Sequence, residues 1–323
     1  MPIASILSNQ KTSISVVIPV YNSRDSLMEL TTRLCRVLSE VCSLYEIIFV
    51  NDCSPDGSWT IIEQLCRENP RVFGINLMRN YGQHNALLCG IRAASHELII
   101  TLDDDLQHPP EHIPLLLDKL CEGYDVVYGV PLEERHNIWR NLASQLTKMV
   151  LQKAMGADVA RNISAFRIFR TQLRDAFKHY QNTYVSIDVL LTWATTGFAA
   201  VRVRHEQRSA GVSNYTIPKL IIHAMNLITG FSALPLQLAS MIGFACTFFG
   251  LLILAWVFGR YLVLGSVVPG FPFLASIIAI FSGAQLFSLG IIGEYLARIH
   301  FRSMERPSYT IRSVFQHTQS DEN

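Results

Sequence analysis

Two kinds of hydrophobic pattern divide the chain near residue 230. Before this point, short apolar runs alternate with mixed apolar and charged stretches, as in a soluble domain. From Ala233 to Gly259 there is no charged residue, and after Arg260 the segment from Tyr261 to Gly293 is again uncharged. Because a membrane-spanning helix needs about 20 apolar residues, we predict two such helices, at 236–262 and 272–296. The glycines and prolines of "LGSVVPGFP" predict the turn between them.

Basic residues near the two apolar helices predict their orientation. The connecting loop 264–272 has no Lys or Arg, whereas arginines and a lysine precede the first helix and arginines follow the second. The positive-inside rule therefore predicts a protein of the cytoplasmic (inner) membrane whose soluble part and both termini are cytoplasmic. We expect Arg260, the exception, to extend its side chain to the interface. Two buried core helices are the alternative, which the length of the runs and their lack of a polar face disfavour.

The region before residue 230 alternates between predicted strands and helices. Continuous apolar runs of the kind buried in a parallel sheet predict five strands, at 14–21, 45–52, 72–78, 97–105 and 125–130. Helices are expected between them, at about 26–41, 58–68 and 83–94, with a further one after Pro109 and Pro110. This alternation predicts a doubly wound α/β fold, in which ligands bind at the carboxyl ends of the strands.

Charge, cysteine spacing and the absence of a glycine motif limit the functions that the soluble region can have. The formal net charge of +1 gives no indication of a nucleic-acid partner. The seven cysteines form no C-x-x-C pair, so buried free thiols in a reducing compartment are expected. A dinucleotide-binding domain is an alternative, but it needs G-x-G-x-x-G after the first strand, where "VYNSRDSL" has no glycine.

Three consecutive aspartates follow the fourth predicted strand, in "ITLDDDLQHPP". Clustered carboxylates at a strand end suit Mg²⁺ or Mn²⁺, which one or two carboxylates hold while substrate phosphates fill other positions. In an extended chain Asp103 and Asp105 face one side with Gln107, and Asp104 faces the other. A solvated acidic turn is the alternative for so short a motif. His108 and His112 have a spacing possible for zinc, but without further ligands in view we interpret them as surface histidines.

Four motifs together carry a resemblance to a known family. They are "SVVIPVYN", "IIFVNDCSPDGS", "RNYGQHNAL" and "LDDDLQHPPE". With these motifs the chain resembles the inverting glycosyltransferases of the GT-A fold, and more narrowly the polyprenyl-phosphate glycosyltransferases. This group includes the bactoprenol glucosyltransferases, the undecaprenyl-phosphate aminoarabinose transferases and the dolichol-phosphate mannose synthases. The resemblance covers nearly the whole chain, including the membrane hairpin and a basic tail with "RPSY".

The resemblance implies four regions. They are a GT-A catalytic domain at 1–216, an amphipathic interfacial helix at 217–232, a transmembrane hairpin at 233–297 and a cytoplasmic tail at 298–323. The apolar residues of "IPKLIIHAMNLITGF" recur at helical spacing, which fits a helix at the headgroup level or one packed on the catalytic domain. The tail "PSYTIRSVF" alternates like a short strand. In similar proteins such a tail pairs with a neighbouring subunit, so a homo-oligomer such as a tetramer is implied.

The implied activity is metal-dependent, inverting transfer of a sugar from a nucleotide-diphosphate sugar to polyprenyl (undecaprenyl) phosphate, for modification of cell-envelope glycans or lipopolysaccharide. The implied cofactor is Mg²⁺ or Mn²⁺. The nucleophile would be a phosphate oxygen already ionised at neutral pH, so a strong general base is dispensable. A processive membrane synthase is a second possibility, but its usual Q-x-x-R-W motif is absent from this sequence. A non-catalytic membrane partner is the third.

The resemblance also implies roles for individual residues. Those expected to bind the nucleotide are Pro19, Tyr21, Asn22, Asp52, Asn80, Gly82, Gln83 and Asp104. Those expected to hold the metal are Asp103, Asp105 and Gln107, and the catalytic set is Asp103, Asp105, Arg167 and Arg208. Those expected to contact the acceptor phosphate are Arg135, Arg140, Arg161, Ser164 and Ser213. Arginine suits this task because its planar fork matches phosphate oxygens.

The sequence departs from the family's pattern at three positions. Asp104 stands where the family usually has a small residue, and it could only add negative charge behind the site. Asn214 stands where similar enzymes commonly have a lysine that meets a phosphate, and Arg161 stands where many relatives have an acidic residue. We hypothesise that Arg161 supplies the contact that Asn214 cannot. Alternatively, Arg161 is a solvated loop residue and the lysine's role is absent or filled by Arg208.

Overall fold

The chain divides into two compact units. A computed structural model describes residues 12–132, 163–181, 185–204, 234–264, 270–304 and 306–316. One unit comprises Met1–Leu220 together with Arg306–Asn323, and the other comprises Ile221–Glu305. The first unit therefore contains chain from both sides of the second. The predicted interfacial helix at 217–232 lies outside the described residues.

An eight-stranded mixed sheet forms the centre of the first unit. Its strands are β1 (Ser13–Val20), β2 (Leu44–Asn51), β3 (Val72–Leu77), β4 (Leu98–Thr101), β5 (Val126–Pro131), β6 (Arg167–Arg170), β7 (Phe198–Val203) and β8 (Ile311–Phe315). Their order across the sheet is β7-β5-β6-β4-β1-β2-β3-β8. β6 and β8 run antiparallel to their neighbours, and the remaining strands share one direction. The predicted, mostly parallel α/β sheet is confirmed.

Helices cover both faces of this sheet. They are α1 (Leu27–Val41), α2 (Ser58–Glu68), α3 (Gln83–Ala93), α4 (Ile113–Cys121) and the short α5 (Ile187–Thr192). Val16 and Ile18 of β1 pack into a buried cluster with apolar residues of α1, α2 and α4. On the other face, α3 approaches the sheet so closely that a Cβ at Gly90 would lie 2.3 Å from Cγ1 of Val17. This alternation of sides along β1 is what a doubly wound sheet requires.

β4 is shorter than the sequence predicted. The predicted strand 97–105 was wrong beyond Thr101, where the ladder with β1 ends. The chain then turns at Asp104 and Asp105, and Leu106 adopts a left-handed φ of 61°. The expectation that the three aspartates form an extended segment is therefore also wrong. β6 and β7, which the sequence did not predict, widen the sheet beyond β4.

The C-terminal segment returns to the first unit. β8 was predicted as a short strand, and it pairs antiparallel with β3 of its own chain, with Ile75 opposite Val314. Arg312 strengthens this edge because its guanidinium donates to the carbonyl oxygen of Met78 at 3.0 Å. The homo-oligomer stays a prediction.

The second unit consists of two long apolar helices, α6 (Leu234–Leu264) and α7 (Phe271–Ser303). Leu236–Arg260 and Ile280–Ala297 are each long and apolar enough to cross a membrane. The helices contact each other at Gly250, where a Cβ would lie 2.7 Å from Cζ of Phe281. Because their outward-facing side chains are apolar and exposed, lipid is the solvent that suits them. This arrangement is consistent with the predicted transmembrane hairpin.

A buried ion pair holds β6 between its neighbours. Arg167 is only 2% exposed, and its guanidinium is paired with the carboxylate of Asp188 at the start of α5. Its Nε donates to Oγ1 of Thr101 at 3.0 Å, and that hydroxyl donates to the carbonyl oxygen of Ala165 at 2.7 Å. The Tyr128 hydroxyl donates to Asp188 at 3.0 Å. These bonds join β4, β5, β6 and α5, so the guanidinium serves the packing of the sheet.

Removal of the Arg167 guanidinium should destabilise the first unit strongly. Arg167→Met leaves Asp188 buried without its cation, which typically costs about 3–5 kcal/mol. We expect Arg167→Met/Asp188→Asn to be milder, because the second change removes the uncompensated charge. The matched control is Arg170→Met on the same strand, whose half-exposed pair with Asp125 at 3.7 Å should contribute at most about 1 kcal/mol. Thermal unfolding in detergent would contradict the assignment if Arg167→Met kept the wild-type midpoint.

A second ion pair ties α1 to the turn Pro110–His112, which follows the aspartates. Arg33 donates to both carboxylate oxygens of Glu111, at 3.0 and 2.7 Å, and Arg36 adds a contact at 3.2 Å. The hydrogen bond from Arg33 is the main cause that holds the pKa of Glu111 at about 2, below its ordinary value of 4.5. The folded state therefore favours the ionised carboxylate.

Glu111→Gln should reduce stability in a pH-dependent way. A lowered folded pKa stabilises the fold fully above pH 4.5, and this contribution disappears as the pH falls through about 2. Because the side chain is 37% exposed, we expect a difference of at most about 1 kcal/mol at pH 7, and a smaller one at pH 3. Unfolding midpoints of wild type and variant at both pH values measure it. Glu122→Gln, on an exposed pair with Lys119, is the control, and a Glu111→Gln difference that grows at pH 3 would contradict this account.

Candidate active site

A cleft opens at the carboxyl ends of β1, β2 and β4. It is lined by Pro19, Val20, Tyr21, Asp52, Asn80, Gly82, Gln83, Asp103, Asp104 and Asp105. The chain order reverses here, because β2 lies on one side of β1 and β4 lies on the other. Such a switch point is where open α/β sheets bind ligands. The fold thus brings together most of the residues that the motifs assigned to the nucleotide and the metal.

Asp52 shapes one wall of the cleft. Its two carboxylate oxygens accept the backbone N–H groups of Tyr81 and Gly82, at 2.7 and 2.8 Å. Gly82 has a φ of 92°, which favours glycine, and α3 begins at the next residue. Burial raises the pKa of Asp52, and these two hydrogen bonds act in the opposite direction. Any contact of Asp52 with a base or ribose would be made in addition to this structural role.

Asp103 and Asp105 line the cleft next to the start of α3. Gln83, the first residue of α3, donates its side-chain amide to Oδ1 of Asp103 at 2.6 Å. The N-terminal end of this helix favours nearby negative charge. The backbone N–H of Gln107 donates to Oδ1 of Asp105 at 3.1 Å. Gln107 itself is not among the residues that line the cleft, so its expected place beside the metal is not evident here.

Asp104 does not face away from the cleft as the extended arrangement predicted. The turn brings its Oδ2 to the backbone N–H of Tyr21, at 3.1 Å, and its carboxylate also bonds to the Ser23 side chain. Burial, with a smaller contribution from repulsion by Asp105, raises the pKa of Asp104 to about 6. The carboxylate thus contacts the end of β1.

The charged side chains of the described cleft lining are all acidic. Four carboxylates line the cleft, and within the described part of the chain no lysine or arginine does. Among the described residues, no three His, Cys, Asp or Glu side chains converge as a metal centre. Two carboxylates, completed by phosphate oxygens and water, are nevertheless the usual protein contribution to a Mg²⁺ site on a nucleotide. Asp103 and Asp105 have the oxygen chemistry that this requires, so the residues fit the implied cation.

Other predicted site residues lie at the rim or away from the cleft. Asn22 is next to the lining, with a φ of 58° and its N–H bonded to Oγ of Ser54 at 3.2 Å. Oγ of Ser164 lies 3.5 Å from Nε2 of His108, and Ser164 is not among the residues that line the cleft. Arg167 is not in the cleft, because its guanidinium is committed to Asp188 in the core. Its contacts in the described residues are structural, and its catalytic role stays a prediction.

Several expectations concern residues outside the described ranges. These are the predicted phosphate contacts Arg135, Arg140, Arg161, Arg208 and Ser213, together with Asn214. The interpretation of His108 as a surface residue was wrong, since it is 8% exposed and stacks on Phe166 at 5.6 Å. The sequence analysis did not identify Val20 as part of the lining. It also did not identify the serines that form hydrogen bonds with the residues at the cleft. The serines of "VYNSRDS", a turn-like composition after a strand, were the available signal.

Comparison of sequences identifies relatives of this chain. Residues 15–181, just over half of the 323 residues, match the family described as Glycosyl transferase family 2. A protein from Yersinia enterocolitica named undecaprenyl-phosphate 4-deoxy-4-formamido-L-arabinose transferase is 35% identical over 320 residues, which cover 96% of each chain. The protein of the same name from Yersinia pestis is 34% identical over the same shares.

Solved structures show the same fold. Mannosyl-3-phosphoglycerate synthase from Rubrobacter xylanophilus has a TM-score of 0.52 at 15% identity, covering 70% of this chain and 74% of the other. Glucosyl-3-phosphoglycerate synthase from Mycobacterium tuberculosis, solved with Mn²⁺ and UDP-glucose, has a TM-score of 0.51 at 16% identity, covering 70% and 79%. These matches confirm the predicted GT-A architecture. Together with the family match and the full-length relatives, they show that this chain is a glycosyltransferase and belongs to glycosyl transferase family 2.

Proposed function

We propose that the protein transfers a sugar, with inversion, from a nucleoside-diphosphate sugar to a polyprenyl phosphate in the inner membrane. Undecaprenyl phosphate is the acceptor class in the relatives' names, and 4-deoxy-4-formamido-L-arabinose is the sugar in them. That sugar is therefore the first donor to test, with UDP and dTDP as alternative nucleotides. The product would serve modification of cell-envelope glycans or lipopolysaccharide.

The acidic cleft carries this proposal. A diphosphate brought beside four carboxylates is repelled unless a cation lies between them. Asp103 and Asp105 would hold Mg²⁺ or Mn²⁺ there, and the bound cation would neutralise charge that develops on the leaving diphosphate. The Mn²⁺ and UDP-glucose in the Mycobacterium tuberculosis enzyme are consistent with such a site on this fold.

The remaining lining would orient the donor. Tyr21 and Asn80 border the space beside Asp52, where the base and ribose are expected, and Gln83 holds Asp103. The acceptor phosphate oxygen would form a bond to the anomeric carbon as the bond from that carbon to the diphosphate oxygen breaks, which inverts the configuration. The phosphate is already ionised at neutral pH, so no residue needs to remove a proton. Rate enhancement then depends on alignment and charge compensation.

The topology of the chain matches a membrane-bound acceptor. β7 and β8 belong to one sheet, and α6 and α7 lie between them in the sequence. A folded sheet cannot be divided by a bilayer, so the chain would cross the membrane an even number of times. With both apolar helices spanning, the catalytic unit and the C-terminal strand lie on one side, which the positive-inside rule assigns to the cytoplasm.

Asp105→Asn should abolish metal-dependent transfer. The substitution preserves shape and removes a ligand charge, which should reduce the rate at low Mg²⁺ by at least about a hundredfold. Asp118→Asn, an exposed acid on α4, is the control and should keep wild-type activity. Transfer from a nucleotide sugar to undecaprenyl phosphate measures both. Retention of more than roughly a tenth of the wild-type rate would exclude the metal assignment.

Cysteine labelling tests the topology. Ser313→Cys, on β8, should react with an impermeant maleimide only from the cytoplasmic side. Ser266→Cys, in the loop between the apolar helices, should react only from the periplasmic side. The wild type, with its seven native cysteines, sets the background. Labelling of both positions from the same side would show that the hairpin does not span the membrane.

A further inference from the structure

Asp104 connects two segments that follow different strands. Its Oδ2 accepts the backbone N–H of Tyr21 at 3.1 Å, although the two residues are 83 positions apart. Its backbone carbonyl oxygen accepts the hydroxyl of Ser26 at 2.6 Å. Asp104 is therefore bonded to both ends of the segment 21–26, which links β1 to α1. These bonds cross the switch point between β1 and β4.

The same segment is held from the opposite side by the loop after β2 and by the first residue of α2. Oγ of Ser54 accepts the N–H of Asn22 at 3.2 Å, and Oγ of Ser58 accepts the N–H of Ser23 at 3.2 Å. Asp56 accepts the N–H of Arg24 at 3.0 Å. The amides of residues 22 to 24 are thus bonded to the β2 side, whereas the amide of Tyr21 is bonded to the β4 side through Asp104.

These contacts fix the shape of the segment. Asn22 has a φ of 58°, a left-handed conformation that asparagine adopts more readily than most residues, and the bonds to its neighbours hold the turn in that form. Tyr21 lines the cleft and is 47% exposed, so packing alone holds it only in part. The backbone bond to Asp104 is consequently a main determinant of where Tyr21 lies.

We propose that Asp104 is a positioning residue, which fixes Tyr21 and the segment 21–26 against the acidic turn and thereby sets the affinity for the nucleotide. This inference rests on the proposed function and refines the sequence-based expectation that Asp104 binds the nucleotide itself.

Two substitutions at Asp104 separate the acceptor oxygen from the charge. Asp104→Asn keeps an oxygen that can accept the Tyr21 N–H, whereas Asp104→Ala removes it. Calorimetric titration of the full-length protein with UDP, and separately with dTDP, in the presence of Mn²⁺ measures nucleotide affinity without any acceptor. We expect Asp104→Ala to weaken binding about tenfold and Asp104→Asn to stay within about threefold of wild type. Electron paramagnetic resonance of Mn²⁺ should show unchanged cation affinity in both variants.

Ser26→Ala provides an independent variant in case Asp104→Ala does not fold. It removes the other bond to Asp104 and should weaken nucleotide binding in the same direction, whereas Ser39→Ala, exposed on α1, should not. Equal effects of Asn and Ala at position 104 would overturn the inference in favour of a role for the charge alone. Weakened Mn²⁺ binding in both would make Asp104 a metal ligand and overturn it too. Failure of the wild type to bind either nucleotide would overturn the proposed function and this inference together, and wild-type binding with no effect of Asp104→Ala would overturn the inference alone.

Discussion

Repulsion among carboxylates at one edge of the sheet is the constraint on which the site depends. Asp52, Asp103, Asp104 and Asp105 share a cleft in which the described lining offers no cationic side chain. The protein compensates partly through backbone N–H groups, since Asp52 accepts two of them and Asp104 accepts one. Such compensation stabilises individual carboxylates, but it cannot attract a diphosphate. In the proposed function, a divalent cation would supply the missing positive charge and make this edge a binding site for the diphosphate.

The sheet topology creates this edge. Because β4, β1 and β2 are adjacent and parallel, their carboxyl ends deliver Asp103, Tyr21 and Asp52 to one place. Polar bonds then fix the loops relative to one another, through Gln83 on α3 and through Asp104. After the two apolar helices the chain returns to the sheet as β8. Both ends of the hairpin are therefore covalently connected to the catalytic unit.

The pattern of apolar residues was enough to predict the central strands of the sheet. Apolar runs predicted β1, β2 and β3, and the resemblance implied that Tyr21 and Asp52 share a nucleotide site, in agreement with the cleft that both residues line. Arg167 could not be assigned in this way, because its partner Asp188 lies 21 positions away and is brought near only by the packing of α5. The direction of the Asp104 side chain could not be predicted either, because it depends on the turn that ends with Leu106 at positive φ. Both arrangements depend on tertiary contacts, which the simple alternation of a strand does not reveal.

Nucleotide binding by the wild-type protein with and without a divalent cation tests the central claim most directly. Purified full-length protein in detergent would be titrated with UDP and with dTDP, first in millimolar Mg²⁺ or Mn²⁺ and then in excess chelator. If the cation joins the diphosphate to the acidic edge, affinity for at least one nucleotide should be at least about tenfold higher with the cation present. Equal affinity in chelator would contradict the account, because it would mean that cations of the protein itself receive the diphosphate.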